Sequence, residues 1–202
     1  MANLTSPPPN QRRRAVLHKL VTAGLAVAAS LCQPHSYSQA LAVEQPDIER
    51  QVKAAYLYKF GSYVEWPERA FPSPDSPVRI GLIGADAMAD ELAQMVAGRT
   101  INGRQVVVRK LRREDAVAGF NILFVGRSNN ARLAEILAMT KGQPMLTVTE
   151  SDDGIAAGSM INFVVVDGKV RFEASPKAAG LSNLNISARL LAAAYKVAQG
   201  AS

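Results

Sequence analysis

The two histidines, His18 and His35, and the one cysteine, Cys32, all stand in the first 42 residues of the chain. Imidazole and thiol are the side chains that most often act as base, nucleophile or zinc ligand near neutral pH. If those 42 residues are removed, none of that chemistry is left to the rest of the chain. A serine hydrolase would then need a lysine base, and no Ser-x-x-Lys follows residue 42. There is no Gly-x-Ser-x-Gly elbow and no Gly-x-x-x-x-Gly-Lys phosphate loop. Gly81-Leu82-Ile83-Gly84 lacks the spacing and the third glycine of a dinucleotide fingerprint. Glu150, Asp152 and Asp153 offer oxygens to a hard cation, but without the alternation of a calcium loop they read as a polar turn. No catalytic residue, cofactor or metal is expected.

The residues suited to binding are of two kinds. Arg127-Ser128-Asn129-Asn130 precedes a helical pattern, where backbone N–H groups hold anions such as a carboxylate. The other reading of the same residues is a helix cap beside a solvated arginine. Arg127, Ser128 and Asn129 are thus the candidate ligand loop. Tyr56, Tyr58, Phe60, Tyr63 and Trp66 fall within eleven residues. Tyr56, Phe60 and Tyr63 can share one helix face and suit a core. Tyr58 lies on another face and Trp66 at the helix exit, where aromatics beside charges suit a partner interface. Arg109-Lys110-Leu111-Arg112-Arg113 is the densest basic run, either a solvated strand end or a contact for an acidic partner or anionic lipid. Tyr58, Trp66, Arg112 and Arg113 form the candidate partner interface.

The first 42 residues have the layout of an export leader. Arg12, Arg13, Arg14 and Lys19 precede an uncharged apolar run from Leu20 to Cys32, too short to span a bilayer. Ala40-Leu41-Ala42 then offers an A-x-A cleavage site before Val43. Leu31 stands directly before Cys32, where lipidation requires a small residue, so a lipoprotein is not expected. The expected destination is the periplasm, by the general or the twin-arginine route. Removing the leader takes 4 of the 23 Lys and Arg and none of the 17 Asp and Glu, so the net charge falls from +6 to +2. That balance gives no reason to expect a nucleic-acid partner.

The elements that must position these residues follow from periodicity. Asp47 to Val64 has helical spacing, with Ile48, Val52, Tyr56, Phe60 and Tyr63 or Val64 recurring every three or four residues, and Trp66-Pro67 ends it. Strands are expected at Val78–Gly84, Gln105–Leu111, Asn121–Val125 and Met145–Thr149, and helices at Asp86–Val96 and Asn129–Thr140. Met160–Val166 and Lys169–Ala174 flank Asp167-Gly168, the strongest hairpin signal in the chain. A last helix is expected over Asn185–Ala198. Apolar strands alternating with amphipathic helices predict a three-layer α/β/α sandwich, its mostly parallel sheet ending in an antiparallel C-terminal hairpin.

The helical segment carries Val52-Lys53-Ala54-Ala55-Tyr56-Leu57-Tyr58-Lys59-Phe60 and then Val64-Glu65-Trp66-Pro67, which resembles the opening of the YfiR family. Similar blocks follow in order: Val78–Gly84, Ile101–Arg104 with Val106–Arg109, Asn121–Val125, Leu146–Thr149, Ile161–Phe163, Val170–Glu173 and Ile186–Leu191. The resemblance implies one YfiR-like α/β domain over residues 43–202 after a signal peptide over 1–42. It implies a non-enzymatic periplasmic repressor that binds the sensing region of an inner-membrane diguanylate cyclase. A sequestering outer-membrane lipoprotein and a homodimer are implied as further partners. The best-known members carry disulfides, one cysteine standing near Phe120 and Asn121, and this chain has none there. Redox control is therefore not expected. The competing reading is a periplasmic small-molecule-binding component that uses the strand-end loops.

Overall fold

The computed structural model describes residues 37–112 and 114–198. The leader's charged and apolar stretches, Cys32, both histidines and Arg113 lie outside the described residues. By its internal contacts the chain divides between Ala40 and Leu41, and the sheet and both of its cores belong to the body from Leu41 onward. In chain order the elements are α1 (Tyr37–Ser62), β1 (Val64–Glu65), β2 (Val78–Ile83), α2 (Asp86–Met95), β3 (Thr100–Ile101), β4 (Arg104–Leu111), β5 (Ile122–Val125), α3 (Leu133–Met139), β6 (Leu146–Thr149), β7 (Ile161–Val166), β8 (Lys169–Ala174), α4 (Pro176–Leu181), β9 (Asn185–Ile186), α5 (Ala188–Ala193) and β10 (Lys196–Val197).

Eight strands form one sheet in the order β10-β8-β7-β6-β5-β2-β4-β3, while β1 and β9 pair separately. β4, β2, β5, β6 and β7 run parallel, and β7 and β8 form the antiparallel hairpin. Every residue of β5 and β6 is buried, the threonines of β6 included, as central parallel strands covered on both faces must be. From β2 the chain steps outward to β4, then returns past β2 to β5, β6 and β7. That reversal makes the gap between β2 and β5 a topological switch point.

Two separate cores prove the three layers. On one face Leu57 and Phe60 of α1, Met88 and Leu92 of α2, Ala179 of α4 and Leu190 of α5 pack on Ile80, Leu82, Phe124, Phe163 and Phe172. Phe60 meets Phe163 and Phe172 at centroid distances of 5.7 and 5.1 Å, and Tyr56 joins both phenylalanines. Each such fully buried side chain contributes about 1.5–3 kcal/mol. On the other face Leu133, Ile136 and Leu137 of α3 pack on Ile83, Leu123 and Val125, with Leu111, Val117 and Phe120 beside them.

The structure departs from the sequence expectations at several ends. α1 starts at Tyr37, before the expected Asp47, and so contains Pro46. Its buried stripe is Lys53, Ala54, Leu57 and Phe60, whereas Ile48 is 57% exposed. The segment Arg127–Arg132 is a 3-10 turn, so the helix expected from Asn129 becomes α-helical only at Leu133. The expected C-terminal helix is broken on both sides. Ile186 pairs with Val64, Ser187 caps a short α5, and Ala194 turns extended so that Tyr195 N–H reaches Phe172 O at 2.8 Å. Pairing with the sheet outweighed the local helical pattern.

Candidate functional site

The C-terminal ends of β2, β5 and β6 bring together three loops, beginning at Gly84, Gly126 and Glu150. In open α/β sheets this is where ligands sit. Here the gap between β2 and β5 is filled by the chain itself. Ser128 Oγ donates to Gly84 O at 3.1 Å, and Asn129 Nδ2 donates to Ser128 Oγ at 3.1 Å. A Cβ on Gly84 would lie 2.0 Å from Asn129 Nδ2, and one on Gly126 only 2.5 Å from Gly84 O. Only glycines permit so close an interlock, and Gly84 also needs its φ of +67°.

Beside the interlocked loops, α1 delivers a lysine into the protein. Lys53 is only 6% exposed along its side chain and is ion-paired to Glu49, one turn earlier, and to Glu150 Oε2 at 2.5 Å. The Arg127 N–H donates to Glu150 Oε1 at 3.1 Å, and Arg127 Nε donates to the Glu150 carbonyl at 3.1 Å. One carboxylate thus ties α1, the end of β6 and the loop after β5 together. Arg50 pairs with Asp47 at 2.8 Å and with Glu91 at 3.0 Å. Hydrogen bonds to Asp47 and then to Glu91 hold its guanidinium above the usual range. Glu49, Arg50, Lys53 and Glu150, with Gly84–Met88, line a cavity of about 330 Å³.

A second cavity, of about 270 Å³, opens at the other end of the sheet among Val64, Trp66, Phe71, Val78, Ile101 and Arg104. Trp66 packs edge-on to Phe71 at 6.3 Å, and the Arg104 guanidinium lies 4.0 Å from the centre of the Phe71 ring. Arg104 Nη1 also donates among the carbonyls of Ser73, Pro74 and Ser76, which pins the proline-rich loop. The Trp66 indole N–H is buried and finds no acceptor among the described residues. Leaving such a donor unsatisfied costs about 1–3 kcal/mol.

Tyr58 and Trp66 both border the β3–β4 hairpin. The Tyr58 hydroxyl donates to Thr100 O at 2.9 Å, and Arg99 approaches the Tyr58 ring to 6.0 Å. Arg112 follows the far end of β4, about 26 Å from Arg104 at roughly 3.3 Å per residue. The structure therefore brings Tyr58 and Trp66 into one neighbourhood and sets Arg112 apart from them. Of the ligand loop, Ser128 and Asn129 spend their side chains on the interlock, and Arg127 is bound to Glu150. No three or more acidic, histidine or cysteine side chains are grouped to hold a metal ion among the described residues. Lys53 escaped the sequence reading. Its spacing from Glu49 was visible, but the residue that buries it, Glu150, stands 97 positions away.

The domain is a doubly wound α/β sheet whose switch point between β2 and β5 is closed by its own loops. The chain belongs to the YfiR/HmsC-like family, whose model matches residues 50–195. At the level of the family, these are periplasmic regulatory proteins of diguanylate cyclase signalling, and the family is non-catalytic. No match was found among curated proteins. Among the described residues no helix is long and apolar enough to cross a membrane.

Proposed function

We propose that this chain is exported by its N-terminal signal peptide and represses an inner-membrane diguanylate cyclase by binding that enzyme's periplasmic sensing region. The observation that carries the reading is the family match, which covers every strand of the main sheet except the short terminal β10. Repression by binding requires differential affinity for the inactive state. Driving a cyclase from almost fully active to almost fully inactive takes about a 10⁴-fold preference. A homodimer and a sequestering outer-membrane lipoprotein belong to the same reading. Tyr58 and Trp66 are proposed contacts, since both side chains are partly exposed beside the β3–β4 hairpin. Arg112, at the opposite end of β4, is proposed as a basic contact together with its sequence neighbour Arg113.

The test is calorimetric titration of the purified chain with the cyclase's periplasmic domain, alongside cellular cyclic di-GMP with and without the chain. Binding together with a fall in cyclic di-GMP supports the proposal. Absence of binding and an unchanged nucleotide level overturn it.

A second reading rests on the cavity that carries Lys53, Arg50 and Glu150 at the strand ends. A small polar ligand there would raise the melting temperature in a screen of periplasmic metabolites, because a ligand that binds only the folded state stabilises it. Ligands that shift the melting point of the Lys53→Met protein equally are not bound there.

A further inference from the structure

β4 is an edge strand that its own sheet leaves mostly uncovered. β2 pairs with Val106–Leu111 on one side, but on the other β3 reaches only Arg104 and Gln105. No described residue pairs with the outer side of Val106–Leu111. In a parallel ladder alternate residues of an edge strand turn their N–H and C=O outward, so roughly three residues present free backbone groups. Val107 is 39% exposed, and Gln105, Arg109 and Lys110 are exposed as well. At the other edge of the sheet, β10 covers the end of β8.

The face of this edge that carries Val107 is basic, while Glu114 and Asp115 stand just beyond its end, where Asp115 accepts from the Arg112 N–H. Arg79, Arg109 and Arg112 are exposed and make no ion pair among the described residues. Arg79 is in register with Val107 and Arg109 with Gly81, so both arginines lie on the same face of the sheet as Val107. Lys110 points to the other face and meets Asp90 at 2.7 Å. These charges oppose pairing with a second copy. A two-fold centred on Arg109, the register that keeps clear of the residues β3 covers, sets Arg109 opposite its own copy. Like charges directly opposite are destabilising.

Resting on the partner-binding reading above, we propose that the open edge of β4 is the docking strand, and that it takes an extended acidic segment of the partner. Main-chain hydrogen bonds to Val106–Leu111 supply affinity, and carboxylates on alternate positions, which share one face, meet Arg109 beside Arg79, selecting the sign of the ligand. The segment runs along β4 between the Tyr58–Trp66 neighbourhood and Arg112.

The test uses the full chain and two eight-residue peptides, one alternating Glu with Val and the other Lys with Val. Amide hydrogen exchange is read residue by residue. The Glu peptide should slow exchange at the outward amides of Val106–Leu111 at least tenfold, and 500 mM salt should weaken its binding at least fivefold. The Lys peptide should leave those amides unchanged. Arg109→Glu with Arg112→Glu should cut affinity for the Glu peptide at least tenfold, while Arg189→Glu on α5 should not. Equal protection by both peptides, or none at β4, overturns the proposal. So does protection that rises with chain concentration alone, which would mark a second copy as the occupant. If the cyclase domain binds wild type and the double variant equally, the edge proposal fails and the partner reading stands. If it binds neither while the Glu peptide protects β4, the partner reading fails and the edge stands.

Discussion

Replacing Lys53 by methionine tests whether the buried ion pair holds α1 to the sheet. Methionine keeps most of the apolar stem, so the change removes charge more than volume. Glu49, 35% exposed, can turn to water once its partner is gone and loses about 0–0.5 kcal/mol. Glu150 cannot, being 15% exposed and tied to the Arg127 N–H. Losing a hydrogen bond to a charged group there costs about 1.5–3 kcal/mol. The expected sum is about 1.5–3.5 kcal/mol. In a body of about 160 residues this lowers the melting temperature by roughly 3–14 °C. Urea unfolding should show a lower midpoint with an unchanged slope. Adding Glu150→Gln to Lys53→Met should recover more than half of the loss, because a neutral amide tolerates that site better than a carboxylate without its cation. The coupling in the double-mutant cycle should then be about 1–3 kcal/mol. A cost below about 0.5 kcal/mol for Lys53→Met, or strictly additive effects, refutes the reasoning. Either result would mean that the pair is tolerated by the fold and does not hold it.

Lys110 offers the contrast. Its pair with Asp90 is exposed at both ends, 44% and 60%, so Lys110→Ala should change stability by less than about 0.5 kcal/mol, with what remains vanishing in 1 M salt. A larger effect in the same urea titration would show that this pair is not an ordinary surface one. Gly126→Ala should destabilise by about 1–3 kcal/mol, since the new methyl group meets the Gly84 carbonyl, a backbone atom with nowhere to go. A thermal midpoint within 1 °C of wild type, about the shift expected for a negligible change, would contradict that packing.

What the sequence made legible is what local rules govern. Asp167-Gly168 marked the β7–β8 hairpin, and both residues adopt the positive φ that such a turn requires. The short β-branched and apolar stretches of β5 and β6 were legible as strands. Asn102-Gly103 carries the same kind of turn signal, and it makes the β3–β4 hairpin where only a break was expected. Ser175-Pro176 starts α4 by equally local rules, with Ser175 accepting from Ala178 N–H. Other features are written in pairs of distant residues. A lysine on a helix face reads as solvated until Glu150 arrives from the end of β6. Arg104 reads as one more strand cation, and only the fold places it under the carbonyls of Ser73, Pro74 and Ser76. The proposed interface was partly legible for the same reason. Tyr58 and Trp66 share a helix and its exit, whereas the distance from Trp66 to Arg112 depends on the length and direction of β4.

The strand-end crevice and the sheet edge together bear on how such a fold can work without chemistry. Doubly wound sheets usually act at the switch point, and here Ser128, Asn129, Gly84 and Gly126 occupy it. At the perimeter both edges are partly covered, β10 pairing with Glu173 and Ala174 of β8 and β3 with Arg104 and Gln105 of β4, which leaves Val106–Leu111 as the longer bare stretch. An uncovered strand with three consecutive valines, Val106–Val108, is a template for unwanted pairing. Natural sheets suppress that hazard with charge on the edge, which Arg109, Lys110 and Arg112 supply. The charges that keep two copies of β4 apart are also those that would admit an acidic strand. Protection against self-association and choice of partner would then rest on the same side chains, and neutralising them should lose both together.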